Sequence, residues 1–126
     1  MIDCIDHVEV ITRDIEKSIR FYVDVLGFSV HRRTKFDGSR GMTEITFLKL
    51  RDSMLELLEF PGAQVSDVAP KVGMRMFALR VSDMDSEIER LKGLGVEISQ
   101  PPRAIGTSKR AEIKDPNGMS IELRQW

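Results

Sequence analysis

The polar and apolar positions of this chain change period in a set order, and they do so twice. Residues 4–11 alternate, with Ile5, His7, Glu9 and Ile11 on one face and Asp6, Val8, Val10 and Thr12 on the other, as in a half-buried strand. After Asp14 the period lengthens: Ile15, Ile19, Tyr22 and Leu26 form one helical apolar stripe, flanked by Ser18, Phe21 and Val25. Asp14 is placed to accept from the free N–H groups of the first turn, and Gly27 suits the left-handed residue after the last. Three more strands are predicted over 28–36, 43–50 and 54–60, separated by the turns Asp37-Gly38-Ser39 and Arg51-Asp52-Ser53. A polar connector spans 61–73, beginning at Pro61 and closing with Pro70 and Gly73. The order then restarts with a strand over 74–81, a cap at Asp83, a stripe of Met84, Ile88 and Leu91, and Gly95 as the stop. A short strand at 96–99, a loop from Pro101-Pro102 through Gly106, and strands at 109–114 and 119–125 complete the pattern. The turn Asp115-Pro116-Asn117-Gly118 separates the last two.

His7 and Met76, and likewise Asp14 and Asp83, stand 69 residues apart. Each half also closes on a glutamate in an apolar strand, Leu55-Glu56-Leu57 and Ile121-Glu122-Leu123. The expected fold is α+β, one domain over 1–126 with two βαβββ modules at about 1–60 and 74–126. They are expected to form a curved sheet with the helices on its outer face. A duplicated unit tends to pack as a pseudo-symmetric pair, which would bring His7, Glu56, Met76 and Glu122 together. The bulkier hydrophobics opposite these anchors should pack under the helices. His7, Glu9, Glu56, Arg80, Glu122 and Arg124 are then left on the concave side.

Composition narrows the function classes. Nineteen Lys and Arg nearly cancel twenty Asp and Glu, so no basic excess points to nucleic acid. No apolar run approaches membrane-spanning length, and the first residues lack the basic-then-apolar order of a signal peptide, which makes a cytoplasmic protein the expectation. Cys4 is the sole cysteine, so no internal disulfide can form; it reads as a small core or strand residue. His31, in the basic run with Arg32 and Arg33, reads as exposed. Arg103, Lys109 and Arg110, on or beside the late loop, read as solvated charge, with reception of an anionic substrate group as the alternative; a Glu in an amphipathic strand is usually the solvent-facing alternate, and Glu9 and Glu59 are expected to include such a case.

One imidazole and two carboxylates suit a divalent cation, and two carboxylates facing each other in a partly desolvated cavity repel unless a cation lies between them. His7, Glu56 and Glu122 are therefore the candidate metal ligands. Met76 is a poor ligand for such metals, because thioether sulfur prefers Cu(I). Three protein ligands leave positions open to water or substrate, as a catalytic site requires. Met54, Met74, Met76 and Met119 offer a different use of the same cleft, as an adaptable apolar lining.

Four segments carry a resemblance. Asp6-His7-Val-Glu-Val, the helix from Asp14-Ile-Glu-Lys through Phe-Tyr-Val-Asp-Val-Leu-Gly27-Phe, Leu-Glu56-Leu, and Asp115-Pro-Asn-Gly-Met-Ser-Ile-Glu122-Leu resemble the vicinal oxygen chelate superfamily. That group holds glyoxalase I, methylmalonyl-CoA epimerase, fosfomycin-resistance proteins, extradiol dioxygenases and bleomycin-resistance proteins. The resemblance covers essentially the whole chain and is nearest to the glyoxalase-type members. It implies paired βαβββ modules in a curved, U-shaped, mostly antiparallel sheet, usually a homodimer, and in many members a metal at four anchor positions. His7 matches the first ligand, Glu56 the second and Glu122 the fourth; Met76 stands where the third is commonly His. Two functions follow as expectations. The first is a metal-dependent lyase or isomerase using Zn, Ni, Co, Mn or Fe on a small oxygenated substrate. In it Glu122 or Glu56 moves a proton between adjacent carbons, Arg80, Arg124 and Met76 contact the substrate, and Arg80 or Arg124 holds an anionic group on it. The second is a metal-free drug- or small-molecule-binding protein. Neither involves nucleic acid or membrane.

Overall fold

The computed structural model describes residues 1–65 and 72–126. Of the connector expected at 61–73, residues 66–71, Pro70 among them, lie outside the described residues. The chain divides into two compact units, Met1–Gln64 and Val65–Trp126. In the first, β1 (Val8–Thr12) is followed by α1 (Ile15–Arg20), which continues into a π-helical turn at Phe21–Val25, and then by β2 (Ser29–Lys35), β3 (Glu44–Leu50) and β4 (Ser53–Glu59). In the second, β5 (Ala78–Arg80), α2 (Met84–Gly93), β6 (Ile98–Ile105), β7 (Ser108–Lys114) and β8 (Ser120–Gln125) follow in the same order. Each unit is a four-stranded mixed sheet with a helix on one face. The orders are β1-β4-β3-β2 and β5-β8-β7-β6; the first pair in each is parallel and the rest antiparallel. This is the α+β, two-module fold expected from the pattern.

The duplication is written into the registers. Glu56 lies between Glu9 and Phe47, and Glu122 between Ala78 and Glu112, so Glu9 corresponds to Ala78 and Phe47 to Glu112. It extends to the joint between helix and sheet. The backbone N–H of Ile15 donates to Glu59 Oε1 at 2.7 Å, and that of Met84 donates to Gln125 Oε1 at 2.7 Å. Both acceptors sit at the end of the strand beside the helix entry, and both satisfy a first-turn donor that the helix leaves free. Asp14 and Asp83 cap the same helices, accepting from Lys17 N and from Asp85 N and Ser86 N. Glu59 also accepts from Thr43 Oγ1 at 2.6 Å, so it is a structural cap and not the solvent-facing alternate its position suggested.

The two helices differ by one residue. Thirteen positions separate Asp14 from Gly27, and twelve separate Asp83 from Gly95. The π-helical turn absorbs the extra residue, because it closes over one more residue than an α-turn. Leu26 N reaches Phe21 O at 3.1 Å, and Phe28 N reaches Tyr22 O at 2.9 Å. Gly27 and Gly95 follow at φ +84° and +76°, where a Cβ would be strained. The widened turn leaves the consecutive residues Phe21 and Tyr22 both buried, and Tyr22 meets Phe21 and Phe28 edge-on.

Under the helices lie Val10, Ile15, Ile19, Leu48, Leu55 and Leu57 in the first unit, and Met84, Ile88, Leu91, Ala111, Ile113, Ile121 and Leu123 in the second. Each fully buried aliphatic side chain contributes about 1.5–3 kcal/mol relative to exposure. Alternation along β4 and β8 then turns Glu56 and Glu122 to the other sheet face. Three expectations need correction. The segment from Pro101 to Ile105 is not a loop but the second half of β6. Its prolines are tolerated because β6 is an edge strand with register shifts on either side of Gln100. The strand expected over 74–81 is only Ala78–Arg80, extended by single bonds from Glu122 N to Phe77 O and from Val81 N to Arg124 O. Cys4 is exposed, ahead of β1 rather than in it.

Candidate metal centre and its arginine-bearing counterpart

In the first unit the chain brings three candidate ligands together. His7 immediately precedes β1, Glu9 is in β1, and Glu56 is in register with Glu9 on the central strand β4. His7 Nε2 lies 2.9 Å from Glu56 Oε2 and 3.7 Å from Glu9 Oε1. One ligand atom from each of His7, Glu9 and Glu56 falls within 4.8 Å of the others. The opposite ring nitrogen, Nδ1, is 2.8 Å from Asp6 Oδ2. Such an outer carboxylate orients the ring and turns Nε2 toward a metal. Phe47 abuts the imidazole edge-on, with ring centroids 5.8 Å apart, and Arg32 covers Phe47. Glu56 is buried, whereas Glu9 is exposed.

Three carboxylates around one imidazole create an excess of negative charge. The hydrogen bond to Asp6 has the largest effect and raises the His7 pKa; burial opposes it, and the fields of Glu56 and Asp6 with the hydrogen bond to Glu9 leave the pKa raised overall. Without a metal, the ring faces the two glutamates through Nε2, and their charge favours its protonated form. A divalent cation in the same place would answer them more fully, with one nitrogen and two oxygen donors of the kind such ions take. The donor set therefore fits the metal that the sequence implies. Glu9, expected on the same face as His7 but not as a ligand, enters it as the third donor. The signal was present in its parity with His7 but required the β1–β4 register to read.

The second unit answers its carboxylates differently. Met76, at the position equivalent to His7, accepts from Arg75 Nη1 through its sulfur at 3.3 Å. Glu122 Oε2 accepts from Arg110 Nη2 at 3.1 Å, and its Oε1 is 3.5 Å from Arg124 Nη1. Arg110 also donates to Glu112, and Arg75 Nη2 reaches Glu112 at 3.3 Å. Burial pushes the Glu112 pKa up, but hydrogen bonds from Arg110 and Arg75 hold it below the usual carboxylate range. Arg110, read from sequence as solvated, is in fact buried between these acids. Arg124 stacks on Trp126, 4.6 Å from the ring centroid, and Arg80 is exposed in register with it. Within the first unit His7 meets Glu56, and within the second Glu122 is held by guanidiniums.

The class of the chain follows from its two-module α+β fold together with its sequence. Residues 4–123 match the model of the Glyoxalase/Bleomycin resistance protein/Dioxygenase superfamily, and the chain belongs to that family. It is 31% identical over 126 residues to the uncharacterized protein YwkD of Bacillus subtilis, covering 98% of this chain and 97% of that one. It is 29% identical over 125 residues to a probable lactoylglutathione lyase of Synechocystis, covering 94% and 92%. A glyoxalase family protein from Enterococcus faecalis superposes with a TM-score of 0.85 at 26% identity, covering 95% of each chain. Among the described residues, no helix is long and apolar enough to cross a membrane.

Proposed function

We propose that the chain is a metal-dependent lyase or isomerase of glyoxalase type, acting as a cytoplasmic homodimer on a small oxygenated substrate. The observation that carries this reading is the convergence of His7 Nε2 on Glu56 and Glu9, with Asp6 behind the ring. His7, Glu9 and Glu56 would hold the cation, with identity among Zn, Ni, Co, Mn and Fe. Once bound, the cation supplies Lewis acidity to two neighbouring substrate oxygens. Glu56 is the better placed of the two expected bases. It is buried beside His7, and moving a proton between adjacent carbons suits a carboxylate in a partly dry site. Glu122 has one oxygen on Arg110 and the other near Arg124, so it takes part as ligand or base only by releasing a guanidinium. The relatives named as probable lactoylglutathione lyases support a hemithioacetal as the first substrate to try. Isomerisation of a hemithioacetal by metal-loaded protein, abolished in E56Q, is the expected result. Turnover that persists in E56Q would remove Glu56 from the chemistry.

A second reading has its own support. Met76 stands where His7 stands in the first unit, and Arg110 and Arg124 already neutralise Glu122 without a metal. Those features favour a protein that binds a small molecule and does no chemistry on it, in keeping with the bleomycin-resistance members that the family name includes. Metal uptake separates the two readings.

A further inference from the structure

The registers place four arginines in one row across the second sheet. Arg80 on β5 is opposite Arg124 on β8, Arg124 is opposite Arg110 on β7, and Arg110 is opposite Arg103 on β6. Directly paired residues share a sheet face, and neighbouring strands lie roughly 4.8 Å apart, so the row runs unbroken over all four strands. The corresponding row of the first sheet is Ile11, Leu58, Ile45 and Thr34. At three of four equivalent positions, an aliphatic residue in one module is an arginine in the other.

Like charges set directly opposite one another destabilise a sheet. Glu122 and Glu112, in the adjacent row, offset part of this by pairing with Arg110, Arg124 and Arg75. Arg80 and Arg103 have no acidic partner among the described residues. The glutamates also serve to orient, because each holds a guanidinium by a fixed edge while Trp126 supports the Arg124 plane. The result is a strip with positive charge in excess, in which Arg110 is buried and Arg124 half-buried, both held by the glutamates, while Arg80 and Arg103 are exposed with their donors unpaired by acids among the described residues.

We infer that this arginine row is a binding site for an oxyanion, a carboxylate or a phosphate ester, on a small molecule. Guanidinium forks match both groups with paired, charge-assisted hydrogen bonds. As a statement about the substrate of the proposed enzyme, this rests on the lyase reading; as an anion site, it stands on the second unit alone. The test uses the full chain in the presence of a chelator, with side-chain resonances of 15N-labelled arginines followed during titration with inorganic phosphate, with acetate, and with chloride at matched ionic strength. Saturable shifts of the Arg80 and Arg124 Nε–H signals are expected with phosphate, acetate or both, and not with chloride. A response to only one of them assigns the site to that oxyanion. R80Q and R124Q should each weaken the binding about tenfold, the size of one lost charge-assisted contact. R80Q alters an exposed side chain, so its fold is secure. Shifts no greater than those in chloride, or affinity unchanged in both variants, would overturn the inference. Because the titration contains no free metal, its failure leaves the His7 centre standing, and failure of the metal centre leaves this result standing.

Discussion

Replacement of Arg110 by glutamine probes the difference between the two modules most sharply. The Arg110 side chain is 11% exposed, and its partners Glu112 and Glu122 are 4% and 19% exposed. Removing one member of a buried pair leaves an uncompensated charge and typically costs about 3–5 kcal/mol. Here each glutamate keeps a second guanidinium, Arg75 at 3.3 Å and Arg124 at 3.5 Å, which lowers the expected cost to about 2–3 kcal/mol. Urea unfolding would measure it, with far-UV circular dichroism beside the fluorescence of Trp126, the only tryptophan, which stacks on Arg124. The double variant R110Q/E112Q removes both charges together and should be more stable than the summed single effects by about 1–2 kcal/mol. A loss in R110Q below about 0.5 kcal/mol, with strict additivity in the double variant, would mean that Arg110 behaves as a solvated surface charge.

Other expectations test the frame around the site. Glu59→Ala and Gln125→Ala each remove the acceptor for the first donor of a helix and should each cost about 1 kcal/mol in urea unfolding; a negligible loss in both would show that the shared helix–sheet joint does not stabilise the fold. The hydrogen bond from Arg33, aided by Thr46 and opposed by burial, holds Glu44 below its ordinary value of 4.5. A depressed folded pKa means that this stabilisation is complete above that ordinary value and is lost as pH falls through the lower folded one. E44Q should therefore be about 1–3 kcal/mol less stable than wild type at neutral pH, and the gap should close on acidification; a gap independent of pH would refute the ion-pair account.

Much of the fold was legible because two signals agreed. The switch from a two-residue to a helical period located both helices, and Asp14 and Asp83 cap them as their positions predicted. The edge strand β6 was hidden because Pro101-Pro102 reads locally as a loop; only its place at the sheet edge makes those prolines acceptable. The π-turn could be found only by counting the spacing from cap to glycine in both modules. At the site, the repeat singled out His7 and Glu56, but their contact is set by the β1–β4 register within one module, and parity alone could not tell Glu9 as a candidate ligand from a solvated alternate. Arg110 was misread for a related reason. It is held by Glu112 two residues along the same strand and by Glu122 across the β7–β8 pairing, and local sequence does not report the second contact.

The central claim is that His7, Glu9 and Glu56 together hold one divalent cation. Equilibrium dialysis of chelator-stripped protein against micromolar Zn, Mn, Ni, Co or Fe, followed by elemental analysis, tests it directly. The account predicts one ion per chain, with affinity reduced about a hundredfold or more in H7A and E56Q and about tenfold in D6N, which removes only the support behind the ring. No uptake of any of these metals, or stoichiometric uptake that survives H7A unchanged, would contradict it.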